Sequence, residues 1–260
     1  MRIAIHPDAA AVGEHAARIL ASTVERKPDA VLGFATGSSP MATYEALARH
    51  RLDELAFDRV RGFALDEYVG LPAEHPESYR SVIDREVVQR LGLTPGNIRV
   101  PDGAAEDLEA ACRAYEDAIR ASGGVDVQLL GIGANGHIGF NEPTSSFASR
   151  TRVKTLSPRT REDNSRFFGG DVTQVPMHCL TQGIGTILDA RALVLVATGT
   201  PKAAAVAQMI EGPLGAFCPA TALQLHANAT VIVDEAAAAE LRSHAYYRHT
   251  EANRPAWQLP

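Results

Sequence analysis

The chain has 260 residues, 45% of them hydrophobic and 22% charged, with a formal net charge of -6 at pH 7. That mix belongs to a globular protein and excludes a disordered, fibrous or collagen-like chain. No block of like charges stands out, which excludes a general electrostatic attraction to nucleic acid, so an anionic ligand must be held by local groups.

In chain order, residues 2–6 predict a strand, 9–26 a helix, 30–35 a strand, 40–49 a helix and 60–65 a strand. A helix at 106–122, a strand at 125–132, a strand at 192–197, a helix at 202–211, a strand at 230–234 and a helix at 235–247 follow. The segment 106–122 illustrates the warrant: Leu108, Ala111, Cys112, Tyr115 and Ile119 recur at spacings of three and four, with charged residues between them. Short apolar runs alternating with longer amphipathic ones predict an α/β protein, a three-layer αβα sandwich with a Rossmann-like, mostly parallel sheet. The length suits a single domain over 1–260, with no internal repeat and no domain boundary.

The stretch 144–182, rich in Ser, Thr, Arg and Asn, breaks the alternation and is too long for an ordinary connection, so a lid over the site is expected there. Met1 to Pro7 carries no signal-peptide core and no apolar run nears the roughly 18 residues of a membrane span, so a cytoplasmic protein is expected. Cys112, Cys179 and Cys218 form no CxxC pair and are odd in number, which predicts buried free thiols. His75, His178 and His226 show no paired ligand spacing, so no metal is expected.

The strand at 30–35 runs into Thr36-Gly37-Ser38-Ser39-Pro40. Backbone N–H groups and hydroxyls at such a strand-to-helix turn suit a phosphate; a plain N-cap, with Ser39 before Pro40 at the first helical position, accounts for the same residues equally well. No Walker lysine follows, which disfavours a nucleotide P-loop. Lys202, after the turn Thr198-Gly199-Thr200-Pro201, and Arg166, in Asn164-Ser165-Arg166-Phe167-Phe168, are cations that can complete the pocket; the alternative is solvated surface.

Asp66 and Glu67 follow the apolar run Phe63-Ala64-Leu65, so at least one carboxylate emerges at the carboxyl edge of the sheet, where ligands bind in open α/β folds. A carboxylate partly removed from water becomes a better proton-transfer base, and Asp66 is the better candidate; an Asp capping a turn is the alternative. A second acid-base group is His137, among Gly131, Gly133, Gly136 and Gly139 after another strand, a setting in which a ligand approaches the backbone closely. Glu142 is placed to orient the imidazole or hold its proton, and Asn135 to donate to a substrate oxygen.

Together these motifs resemble the glucosamine-6-phosphate deaminase family, also called the glucosamine-6-phosphate isomerases, over almost the whole chain. The resemblance is carried by Ala35 to Pro40, Leu65-Asp66-Glu67-Tyr68-Val69-Gly70-Leu71-Pro72, His75-Pro76-Glu77-Ser78-Tyr79 and the glycine-rich run from Gly131 to Pro143. Further on it rests on Ala148-Ser149-Arg150-Thr151-Arg152, Asn164 to Phe168, Leu180 to Thr186 and Leu223-Gln224-Leu225-His226. It implies conversion of glucosamine 6-phosphate and water to fructose 6-phosphate and ammonia without an organic cofactor. In that scheme His137, supported by Glu142 and Asn135, opens the sugar ring, and Asp66 moves a proton from carbon 2 to carbon 1. Thr36, Gly37, Ser38, Ser39, Arg166 and Lys202 would hold the phosphate. Some members have Asp at the position of Asn135; an Asn there is no base and can only orient. The resemblance further implies a homo-oligomer, a hexamer in the allosteric members, activated by N-acetylglucosamine 6-phosphate through residues matching Ser145, Arg152, Lys154 and Thr155. Two rival readings are a 6-phosphogluconolactonase-like hydrolase, which would not need Asp66, and a non-catalytic sugar-phosphate sensor, usually joined to a helix-turn-helix domain.

Overall fold

A computed structural model describes residues 1–52 and 55–255, and all statements below concern these. Seven parallel strands form one sheet in the order β1 (Arg2–His6), β10 (Ala229–Asp234), β9 (Ala192–Ala197), β6 (Val127–Leu130), β2 (Val31–Phe34), β3 (Arg61–Ala64) and β5 (Ile98–Arg99). Every residue of β2 and β6 is buried, as continuous apolar runs demand when helices cover both faces.

The two-residue period of a strand divides the core in two. Leu32, Phe34 and Leu129 face α1 (Ala9–Arg26) and α2 (Ser38–Leu52), packing against Val12, Ala16, Leu20, Tyr44 and Leu47. Val31, Leu130 and Leu195 face the other way, toward Tyr115 and Ile119 of α4 (Leu108–Ala121) and Val206 and Met209 of α7 (Ala203–Glu211). The expected αβα layering is therefore present. Local signals set the helix starts: Asp8 and Asp107 are N-caps whose carboxylates accept the N–H of Ala11 and Ala110, each at 2.8 Å.

A small antiparallel sheet, β4 (Asp66–Tyr68), β8 (His178–Thr181) and β7 (Arg152–Thr155), stands beyond the carboxyl end of the main one. Its strands are too short and polar to register as an apolar run. The stretch 144–182 is accordingly not one long loop: it carries β7, α5 (Pro158–Ser165), a 3-10 turn and β8. The helix expected at 235–247 is a second difference. Residues 235–240 are turns, and α8 spans His244–Ala252. The Asp234 carboxylate takes the N–H of Ala237 at 2.8 Å and that of Gly199 at 3.0 Å, which ties the alanine run to the sheet edge instead of letting it wind on. Helix propensity yields to such tertiary contacts. α3 (Tyr79–Ile83), continued by a π-helical run (Asp84–Gln89), and the two-residue β5 were not expected at all. Cys112, Cys179 and Cys218 are buried free thiols, and no described helix is long and apolar enough to cross a membrane.

Candidate active site

The strand order puts β2 beside β6, and from these neighbours the chain departs in opposite directions, β2 toward β3 and β6 toward β9. Such a switch point opens a crevice at the carboxyl ends of the strands. Here it is a cavity of about 560 Å³. Thr36, Gly37, Ser38 and Ser39, leaving β2, form one wall, and the glycine-rich loop leaving β6 forms another. Gly37 has φ of 98°, a left-handed backbone that a side chain would strain, so the turn that starts α2 depends on glycine there. α2 begins at Ser38, so Ser39 lies inside the helix and is not its N-cap.

Lys202, in a 3-10 turn after β9, and Arg166, at the end of α5, line the same cavity, so the six expected phosphate residues meet in one place although they come from three parts of the chain. Burial, reinforced by the Arg166 charge, lowers the Lys202 pKa, with Asp163 opposing. Two cations crowded without a full complement of anions suit a dianionic group. Arg166 also lies over the Phe167 ring, 4.7 Å from its centre.

Asp66 begins β4 and lines the cavity 5% exposed. Burial raises its pKa well above the ordinary value, the neighbouring Glu67 charge adds to this, and the Phe140 N–H opposes it. His137 faces it from the β6 loop and lines the same cavity. Its ring lies flat against Gly133, where a Cβ would come within 2.4 Å of Nδ1, so only glycine admits this placement. A Cβ on Gly139 would stand 3.4 Å from Asp66 Oδ2, which shows how closely the loop and this carboxylate approach.

Asn135 and Glu142 stand behind the imidazole. Asn135 Nδ2 donates to Glu142 Oε2 at 2.7 Å, and Asn135 Oδ1 accepts the His137 N–H at 3.2 Å. Glu142 Oε2 is 3.9 Å from His137 Nδ1, just beyond hydrogen-bond distance, and Nδ1 is buried without a partner. Burial lowers the His137 pKa, with Glu142 pulling upward and Lys202 downward, so the ring is neutral at neutral pH. Burial would raise the Glu142 pKa, but hydrogen bonds from Thr160 and the Ser157 N–H, the histidine and Asn135 bring it below the ordinary value.

Of the four residues expected to bind an effector, Arg152 donates to Asn141 Oδ1 at 2.8 Å and Ser145 is buried with its Oγ unpartnered. On β7 the alternation sets Arg152 and Lys154 on one face and Thr155, whose hydroxyl meets His178 Nδ1 at 3.3 Å, on the other. Two residues near the site were not singled out from sequence. Tyr79 lines the cavity with its ring stacked on Phe140, 5.6 Å between centres, and its motif gave a signal without a role. Asn141 is fully buried and donates to the Ile138 and Gln182 carbonyls, fixing the loop between His137 and Glu142; it lies in the Asn-Glu-Pro end of the glycine-rich run, which gave it no role.

Residues 8–232 match the family model described as glucosamine-6-phosphate isomerases/6-phosphogluconolactonase. The chain belongs to this family. Among its curated members, the glucosamine-6-phosphate deaminases of Streptomyces avermitilis and Streptomyces coelicolor are each 60% identical over 99% of both chains, and that of Mycolicibacterium smegmatis is 56% identical over the same share. Among solved members, a monomeric glucosamine-6-phosphate deaminase superposes with a TM-score of 0.89 at 44% identity, covering 92% of this chain and 99% of its own. A 6-phosphogluconolactonase from Trypanosoma cruzi superposes with a TM-score of 0.74 at 20% identity, covering 93% and 97%, a likeness of fold alone.

Proposed function

We propose that the chain converts glucosamine 6-phosphate and water to fructose 6-phosphate and ammonia, by aldose-ketose isomerisation coupled to deamination. The observation that carries this reading is the single cavity shared by Asp66, His137 and the cation-lined Thr36–Ser39 turn, in a chain 60% identical to deaminases over its full length. The phosphate docks on the turn between Lys202 and Arg166, and that remote binding energy holds the sugar in reactive geometry. Neutral His137 takes the proton of the anomeric hydroxyl and delivers it to the ring oxygen as the C1–O bond opens, with Glu142 stabilising the transient imidazolium. The aldehyde so exposed makes the hydrogen on carbon 2 acidic. Asp66 removes it while the carbonyl oxygen takes a proton from the substrate's own ammonium group, giving an enolamine, and Asp66 returns its proton to carbon 1, leaving an iminium at carbon 2. Water then adds to the iminium at carbon 2, and ammonia leaves. Buried Asp66 is the stronger base for its desolvation, while Asn135 only orients Glu142 and the loop.

The lid belongs to the same proposal: Asp163, Asn164, Arg166 and Phe167, around the end of α5, border the cavity and are placed to close on a bound phosphate. So does a cytoplasmic setting, since a phosphorylated sugar does not cross membranes unaided. Activation by N-acetylglucosamine 6-phosphate in a homo-oligomer, a hexamer as in the allosteric members of the family, would act through Ser145, Arg152, Lys154 and Thr155, and Arg152 gives it a route, because it holds Asn141 in the loop that carries His137. Ammonia release from glucosamine 6-phosphate, measured with and without the N-acetylated sugar phosphate and alongside sedimentation, tests both parts. Absence of ammonia together with hydrolysis of 6-phosphogluconolactone would overturn the reaction; unchanged saturation curves would remove the activator.

A further inference from the structure

Glu67 is the second half of the Asp-Glu pair, yet it does not line the cavity. The alternation of β4 turns its side chain away from Asp66 and into the protein, where it is 5% exposed. A buried carboxylate is costly unless its oxygens are bonded. Here Oε1 accepts the N–H of Tyr68 at 2.8 Å and of Tyr79 at 2.9 Å, and Oε2 accepts the N–H of Arg80 at 2.9 Å. One donor comes from β4 and two from the start of α3, so a single side chain joins the strand of the base to the element carrying Tyr79. Tyr79 in turn stacks on Phe140 and lies 4.9 Å, ring to ring, from Tyr68, and Phe140 sits between His137 and Glu142 in the catalytic loop.

We propose that Glu67 is a positioning residue of this site: its carboxylate locks the Asp66 strand to α3 and so fixes Tyr79 and, through Phe140, the catalytic loop around the base. The inference rests on the proposed reaction. Three N–H donors favour the ionised carboxylate, against the burial that raises its pKa, and Arg80 at the start of α3 is the cation facing it. Its charge has a second effect, because it lies beside Asp66 and disfavours the ionised base. The other titratable groups facing Asp66 are His137 of the β6 loop, Tyr68 of β4, Tyr79 of α3, Tyr115 of α4 and Cys179 of β8. Burial raises the pKa of the tyrosines and the cysteine and lowers that of His137, so all five stay neutral at neutral pH and Glu67 is the charge that matters.

Two variants separate position from charge. Glu67→Gln keeps the size and loses the charge; Glu67→Asp keeps the charge and loses the reach. Asp66 can be followed by 13C NMR of enzyme labelled at the aspartate carboxyls, its signal assigned by its loss in Asp66→Asn, while kcat and KM are taken from ammonia release. Glu67→Gln should move the Asp66 titration to lower pH and cut kcat about 10- to 100-fold with KM little changed, since no phosphate contact is touched. Glu67→Asp should leave that titration in place and still lower kcat. An Asp66 titration unmoved in Glu67→Gln, or, should that variant not fold, full kcat in Glu67→Asp, overturns the proposal. A titration that moves in a protein whose wild type releases no ammonia sinks the reaction and not the role of Glu67 beside Asp66.

Discussion

Asp66 and Glu116 are carboxylates of nearly equal burial, 5% and 6% exposed, in opposite electrostatic situations. Glu116, on α4, accepts five hydrogen bonds: two from Arg150, two from the backbone and hydroxyl of Thr151, and one from Thr186, at 2.5 to 3.0 Å. Burial alone would raise its pKa, and these donors bring it below the ordinary value. Asp66 faces the Phe140 N–H, which is already bonded to Thr181 Oγ1, and its pKa stands well above the ordinary value. Glu116 fastens α4 to the entry of β7 and to α6 (Ile184–Leu188). Equal burial thus suits two ends: a carboxylate given all its donors is a rivet, and one denied them has the raised proton affinity that the proposed base requires.

The contrast is most sharply tested by amide substitutions at both positions. Asp66→Asn should reduce ammonia release about 10³-fold or more, as for loss of a positioned base, with KM within a few-fold. Its melting temperature should hold or rise. The folded pKa of Asp66 lies above its unfolded 3.8, so its stabilising contribution is full below that value and is lost as pH rises through the folded value. At higher pH that contribution is diminished, and Asn, which has no proton to lose, removes this dependence. Glu116→Gln should do the reverse, lowering stability by about 1–3 kcal/mol, because a buried amide cannot accept all the bonds that Arg150, Thr151 and Thr186 give the carboxylate, while kcat stays within a few-fold. Parallel losses of activity and stability in both variants would erase the distinction.

A second tier concerns the phosphate. Lys202→Ala or Arg166→Ala should each lower kcat/KM for glucosamine 6-phosphate by about 10- to 100-fold, the range of one charge-assisted hydrogen bond, and leave turnover of an unphosphorylated amino sugar little changed. Equal losses on both sugars would place these cations outside the phosphate pocket.

The site was largely legible because its residues sit where short apolar runs end, and the parallel sheet brings those ends together at one switch point. Asp66 after 60–65 and His137 after 125–132 could be placed from periodicity and turn chemistry alone. Tyr79, Asn141 and the bonds of Glu67 could not. Each depends on chain segments that meet only in three dimensions: Glu67 binds N–H groups 12 and 13 residues away, and Asn141 a carbonyl 41 residues away. The small antiparallel sheet escaped for a related reason. Arg152–Thr155 has too little apolar content to be read as a strand, and its structure comes from pairing with β8. Glu116 was hidden on the apolar face of a well-predicted helix, where a lone acidic residue reads as an interruption until Arg150 and the two threonines are seen around it.

A half-buried imidazole on α1 extends the comparison to the opposite charge. His15 of α1 lies between His6, 2.7 Å from its Nδ1, and Arg2, 2.9 Å from its Nε2, and Arg2 pairs with Glu251 of α8. Because the guanidinium can only donate, Nε2 must accept, so the proton of neutral His15 is on Nδ1 and is given to His6. A second proton would set an N–H against the arginine. Burial, then Arg2 and His6, lower its pKa from 6.5 to about 4. The sign follows that of Glu116: with the folded value depressed, the contribution to stability is full above pH 6.5 and is lost as pH falls through about 4. Between pH 7 and pH 5 the protein should lose about 1–2 kcal/mol that His15→Gln retains, read from urea midpoints of the two proteins at the two pH values. Identical slopes in the two proteins would mean that the α1–α8 corner accepts a charged histidine, and that denial of partners is a property of the Asp66 cavity alone.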